Sequence, residues 1–394
     1  MSIRFSGRCD LNRAFSMTLP FSLNPALEHL PVYHPGRPIE EVAREMRLPV
    51  RRIIKLASNE NPLGPSPAAL AAMKKALRQL HLYPDGNAFH FKRKLAAKLR
   101  VEPGNLVLGN GSNDIIEFLG HALMGPEAEV VVSQYCFAIY PIVAKLLGAK
   151  VVTVPAVNYG HDLPGMLRAI TVNTKVIFVA NPNNPTGTLA PAEEVRRLVE
   201  EAPPNVVLVM DEAYIEFLDK PLDLLPLVRS GQKPNVILMR TFSKIHGLAG
   251  LRLGYGIGHP AFIAALEKIR QPFNINSLAQ AAGLAALDDT AHVRKTRQNN
   301  AAGRKFWESA LWAMGVEFVP TSANFILARV GQGREVFEEL QRRGIITRPM
   351  EGYQLPEWIR ISIGTPAQNR RCARALQHII PAATRGARGS RRRH

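Results

Sequence analysis

From about residue 66 onward the chain alternates between two hydrophobic periods. Residues 68–81 and 89–99 place apolar side chains three and four apart, the spacing of one helix face. Short, almost uninterrupted apolar runs follow at 106–108, 130–132, 150–154, 176–179, 206–210 and 236–239. Helical stretches or Pro/Gly-rich turns separate most of these runs. Apolar strands alternating with helices predict a largely parallel sheet covered on both faces.

The texture changes after about residue 275. A long helical region is expected to run to about Met314, with Asn299, Asn300 and Gly303 as weak interruptions. Strands are expected at 324–328, 345–347 and 358–363, and helices at 335–342 and 367–379. The expected organisation is an N-terminal extension and arm over 1–54, a large α/β domain over 55–287, a smaller α+β domain over 288–380, and a basic tail over 381–394. Residues 1–25 read as a disordered extension, with Met17 as an alternative start.

Composition narrows the function classes. Apolar residues make up 46% of the 394 and charged residues 21%, ordinary values for a globular protein. No apolar run approaches the ~18 residues that span a bilayer, so no membrane partner is expected. The three cysteines, Cys9, Cys136 and Cys372, are scattered and odd in number. They define neither a disulfide framework nor a metal site, which fits a reducing, cytoplasmic setting. The net charge of +18 invites a nucleic-acid reading, but seven of those charges sit in residues 1–20 and 381–394. The remaining body has no basic helix interleaved with aromatics, so no specific nucleic-acid partner is expected.

Polar clusters follow four of the predicted strands, where ligands gather in open α/β sheets. Gly109-Asn110-Gly111-Ser112-Asn113-Asp114 leads from a strand into a helix whose free N–H groups suit an anion. Asn181-Pro182-Asn183-Asn184-Pro185-Thr186-Gly187 is a stiff turn able to mount one amide. Asp211 follows five apolar residues, so its carboxylate needs a cationic partner such as a protonated pyridine, and Tyr214 stands three residues on. Thr241-Phe242-Ser243-Lys244 follows the last strand, and Arg252 lies eight residues beyond the lysine. A lysine amine can condense with an aldehyde cofactor, while hydroxyls, backbone N–H groups and arginine hold its phosphate. Arg360 lies on the face of its strand opposite Ile359 and Ile361, in position to pair with a buried acid or an anionic ligand.

Taken with KLASNENPLG at 55–64, Tyr83-Pro84-Asp85, and IRISIGT at 359–365, these motifs resemble the fold type I pyridoxal-phosphate aminotransferases over nearly all of residues 30–379. The resemblance implies a cofactor, pyridoxal 5′-phosphate, bound covalently by Lys244, with Asp211 on its ring nitrogen and Asn184 and Tyr214 on its ring oxygen. It implies Ser112, Asn113, Thr241, Ser243 and Arg252 around the phosphate, and Phe137 stacked on the ring. Tyr83 would reach the phosphate in a second subunit's site, making a homodimer with shared active sites. Tyr33, Asn61, Arg348 and Arg360 would face the substrates: an anionic amino donor, and 2-oxoglutarate or glutamate. An aromatic amino acid is the alternative donor, because Arg360 accepts a carboxylate or a phosphate alike. Many family members carry an acid where Asn113 stands, and a plain aromatic where His246 stands.

Overall fold

The computed structural model describes residues 21–28, 30–33 and 35–380. The 381–394 tail and residues 1–20 lie outside them. Thirteen strands occur among the described residues, in chain order β1 (Ile54–Lys55), β2 (Leu106–Asn110), β3 (Glu129–Ser133), β4 (Lys150–Val154), β5 (Thr174–Ala180), β6 (Val207–Asp211), β7 (Val236–Thr241), β8 (Leu253–Ile257), β9 (Phe318–Val319), β10 (Phe325–Arg329), β11 (Ile345–Ile346), β12 (Arg348–Pro349) and β13 (Trp358–Ser362).

Seven strands form the main sheet, in the order β2-β8-β7-β6-β5-β3-β4. All its pairings are parallel except those of β8, which runs antiparallel to β2 and β7. The buried runs in β3, β5, β6 and β7 are what a doubly covered sheet requires. Their alternate side chains feed two cores: Val131, Ile177, Val179 and Leu208 face one, and Val130, Val132, Val176, Phe178 and Val209 the other. The predicted strands over 106–239 are all present, each within two residues of its expected ends. β8 was hidden, because its Leu253-Gly254-Tyr255-Gly256-Ile257 looked like the continuation of a glycine-rich motif. Gly254 has a packing reason: a Cβ there would lie 2.3 Å from the Ser112 amide nitrogen.

The C-terminal part builds a four-stranded antiparallel sheet, β12-β13-β10-β9. Helices Thr290–Ala313, Gly333–Arg342 and Pro366–Ile379 supply its core with Trp307, Leu311, Leu340 and Leu376. The expected weak points at Asn299, Asn300 and Gly303 do not interrupt the first of these helices. Asn300 donates to the Ala323 carbonyl, and a Cβ on Gly303 would lie 2.3 Å from Ile363, so these residues are packing devices. The break falls earlier, at Asp289, which caps the His292 amide and separates Ser277–Ala286 from Thr290–Ala313.

Residues 42–54 pack against later parts of the chain. β1 pairs in parallel with β11, and Val42, Ala43 and Ile53 share a core with Ala57 and Ile346. This crossing carries residues 57–60 between the two sheets.

Candidate active site

A cavity of about 300 Å³ opens at the carboxyl ends of β5, β6 and β7, closed on its other side by β13 and the 57–60 segment. Of the residues singled out in the sequence, Tyr33, Ser112, Asn113, Phe137, Asn184, Asp211, Tyr214, Thr241, Ser243, Lys244, Arg252, Arg348 and Arg360 all line it.

Asp211 ends β6 and is 6% exposed. Burial raises its pKa, while hydrogen bonds from the Tyr140 hydroxyl and the Ala213 amide pull the other way. Tyr140 donates to Oδ2 at 2.5 Å, and Ala213 N–H to Oδ1 at 3.1 Å. A carboxylate held this way, reluctant to stay ionised alone, suits a ring N–H cation. Lys244 lies just past β7, and its Nζ donates to the Ser58 carbonyl at 3.2 Å. Burial, with the positive charge of Arg360 next, lowers its pKa to about 8. About a tenth of the amine is therefore unprotonated at pH 7, far more than for an ordinary lysine.

An anion cradle lies on the β2 side. Helix Ser112–Leu123 begins at Gly111, whose φ of 82° is one a side chain rarely adopts. A Cβ at that position would fall 2.2 Å from Arg252 Nη2, so the guanidinium lies over the glycine. Thr241 and Ser243 line the same end, with the Ser243 amide donating to Thr241 Oγ1 at 3.1 Å. Helix N–H groups, two hydroxyls and one guanidinium make a donor set for a dianionic phosphate.

Opposite, Arg360 is 7% exposed. Its Nη1 donates to Asn184 Oδ1 at 2.5 Å and its Nη2 to the Ala57 carbonyl at 3.0 Å. Its buried Nε has no partner. Asn184 thus spends its oxygen on Arg360 and keeps its Nδ2 for an acceptor in the cavity. The Tyr214 hydroxyl accepts from Asn59 Nδ2 at 2.9 Å, which leaves its own proton to donate. Burial pushes Tyr214 up to about 12, partly offset by Arg360, so it remains a phenol. Arg348 stacks over the Tyr33 ring at 5.4 Å.

Two expected residues are not in the cavity. Asn61 is the correction: its Nδ2 donates to the Ile245 carbonyl and to Thr296 Oγ1, and its Oδ1 accepts from the Leu63 amide. That amide ties the loop after Lys244 to the 59–63 turn, outside the cavity lining. Tyr83 is 82% exposed and stacks on Phe273 at 4.8 Å, away from its own chain's cavity. His246 stacks on Phe242 at 4.6 Å, and burial holds its pKa down to about 3, so it serves as a neutral aromatic.

Asn59, noted only as part of the 55–64 motif, and Tyr140 are not singled out as site residues in the sequence. Asn59, at φ 55°, is bonded to Tyr214, Ser362 and Asn324. Tyr140 reaches Asp211 from 71 residues away, and only its neighbour Phe137, also lining the cavity, drew attention.

A lysine, a floor carboxylate, a phenol and a phosphate cradle around one cavity define a protein built to hold a phosphorylated pyridine aldehyde. Residues 51–376 match the family described as aminotransferase class I and II, and the chain belongs to that family. It is thus a pyridoxal-phosphate-dependent aminotransferase of fold type I. Among its relatives, the histidinol-phosphate aminotransferase of Akkermansia muciniphila is 49% identical, over 92% of this chain and 100% of that one. Histidinol-phosphate aminotransferase 2 of Ralstonia nicotianae is 50% identical, over 89% and 95% respectively. The crystal structure of histidinol-phosphate aminotransferase from Sinorhizobium meliloti in complex with pyridoxal-5′-phosphate matches with a TM-score of 0.83 at 29% identity, over 93% of this chain and 99% of that one.

Proposed function

We propose that this chain interconverts L-histidinol phosphate and 2-oxoglutarate with imidazole acetol phosphate and L-glutamate. The observation that carries the reading is a second anion site in the same cavity as Lys244. Arg348 and Arg360 lie on the four-stranded sheet, apart from the Arg252 cradle, and line the same cavity, and the buried Nε of Arg360 has no partner. One anion site takes the cofactor's phosphate, and the other takes the phosphate or carboxylate of the alternating substrates. The relatives named above carry the same substrate in their names, at about half identity over nearly the whole chain.

Pyridoxal phosphate, when bound, supplies an electron sink conjugated to the reacting nitrogen. Asp211 keeps the ring nitrogen protonated, with Tyr140 holding the carboxylate in place. Tyr214 and Asn184 donate to the ring oxygen, and Phe137 covers the ring face. Ser112, Asn113, Thr241, Ser243 and Arg252 anchor the phosphate. The Lys244 amine would take the proton from the donor's α-carbon; such acid–base transfer contributes about 10²–10⁴-fold. Arg348 and Arg360 fix the anionic end, which sets the angle at which that C–H bond meets Lys244.

The chain acts as a homodimer in this reading. Tyr83 sits exposed on a segment that also presents Leu77, Leu80, Leu82 and Phe89 to solvent, a surface suited to a second copy whose cavity Tyr83 completes. Its work is cytoplasmic, where its thiols stay reduced. Assaying L-histidinol phosphate against L-phenylalanine, each with 2-oxoglutarate, tests the substrate. A large preference for histidinol phosphate is expected; a preference for phenylalanine would make the chain an aromatic amino-acid aminotransferase instead.

A further inference from the structure

Four cationic side chains line the cavity, Lys244, Arg252, Arg348 and Arg360, against two carboxylates among the described residues, Asp211 and Glu60. Asp211 lies on the floor and is committed to Tyr140 and the Ala213 amide. Glu60 has no part in the chemistry described above. It stands toward the mouth, its side chain 41% exposed, and its Oε1 receives Lys55 Nζ at 2.8 Å. Its other oxygen has no partner among the described residues. Its negative charge nevertheless reaches Lys244, whose pKa it supports against burial and Arg360.

The Lys55 ion pair fixes where this carboxylate points. A two-residue pairing with β11 holds Lys55, and the buried, fully bonded Asn59 holds the chain immediately before Glu60. Glu60 is therefore a mounted acceptor facing a cavity otherwise rich in donors. The proposed amino donor brings three groups to this space. Its amine goes to the position of Lys244, deeper than Glu60, and its phosphate goes to the arginines. Its imidazole remains, a flat ring with an N–H to donate, and the outer lining offers it the Tyr33 and Tyr353 rings.

We propose that Glu60 is a specificity-determining residue that accepts a hydrogen bond from the N–H of the donor's imidazole ring, with Lys55 as the positioning residue behind it. The inference rests on the substrate reading given above. It adds a discrimination that the arginines cannot make, because they treat every anionic end alike. A ring lacking the N–H forgoes one charge-assisted hydrogen bond to this partly exposed carboxylate, a difference that a purely apolar pocket would not register. Glutamate carries no such ring, and its second carboxylate meets repulsion from Glu60.

The test uses holoenzyme in two separate half-reactions, followed by the absorbance of the bound cofactor. Titration with L-histidinol phosphate and with L-glutamate gives an apparent dissociation constant and a limiting rate for each. Glu60→Ala, which removes the acceptor, is expected to weaken histidinol phosphate binding about 10- to 100-fold, the loss typical of a charge-assisted hydrogen bond. The limiting rate stays near wild type, and glutamate binds as well or better. Glu60→Asp, which keeps the charge but shortens its reach, should show an intermediate loss confined to histidinol phosphate. Equal losses for both substrates, or none for histidinol phosphate, would overturn the assignment. Failure of the wild-type enzyme to convert histidinol phosphate would instead remove the substrate reading on which it rests.

Discussion

At the residue scale the decisive property is the protonation of Lys244. An amine attacks an aldehyde only when unprotonated, and burial has brought its pKa down to about 8. The sign follows directly: below that value the ammonium dominates, and above it the free amine does. The rate at which apo-protein captures pyridoxal 5′-phosphate should therefore rise from pH 6.5 through about 8 and level off only near pH 9. A flat stopped-flow profile across that range would contradict the assignment. Replacing Lys244 with alanine should lower half-reaction rates by at least the 10²–10⁴-fold typical of a lost general base. The Tyr140 hydroxyl deserves the same test. Tyr140→Phe deletes a bond to Asp211 and should reduce turnover about 10-fold or more, since hydrogen bonds to charged groups contribute about 1.5–3 kcal/mol. Unchanged turnover would show that the carboxylate needs no support there.

At the element scale the ends of β6 and β7 carry the catalytic groups, and a buried ion pair locks them together. Arg240 of β7 donates to Glu212, one residue past Asp211, at 2.7 Å, with side-chain exposures of 12% and 4%. Burial raises the pKa of nearby Glu216 to about 7, with Arg240 opposing the rise. Arg240→Leu would strand these carboxylates, at a cost of about 3–5 kcal/mol, readable as a lower midpoint in urea. This level also explains what could be read in advance. Local signals placed β2 through β7, because each is an apolar run bounded by turn residues. They placed the polar clusters too, because each follows its strand directly. Pairings between distant segments left no such signal: β1 with β11, Tyr140 with Asp211, Asn59 with Tyr214. Asn61 was misplaced for a related reason, since two asparagines flanking one glutamate look alike until the chain's path decides which one faces inward. It is Asn59 that reaches the cavity residue Tyr214, while Asn61 braces the loop after Lys244.

At the scale of the whole molecule, the cavity lies between two sheets built from different parts of the chain. Asp211, Lys244 and the phosphate cradle belong to the seven-stranded sheet, while Arg348 and Arg360 belong to the four-stranded one. Movement of one sheet's domain relative to the other would change the distance from the substrate's anionic end to the reacting amine, a geometry suited to closure on substrate. Tyr83 carries the assembly prediction. Tyr83→Ala should leave the chain folded yet weaken cofactor retention in the assembled protein, as measured by dialysis against buffer. Retention equal to wild type, in a protein that sedimentation shows to be dimeric, would place Tyr83 outside the partner's site.

The central claim is a covalent bond between one side chain and the cofactor, and it can be read directly. Borohydride reduction of the holo-protein, followed by proteolysis and mass spectrometry, should place a single pyridoxyl phosphate on the peptide containing Lys244. Its appearance on another lysine, or on none, would contradict the account.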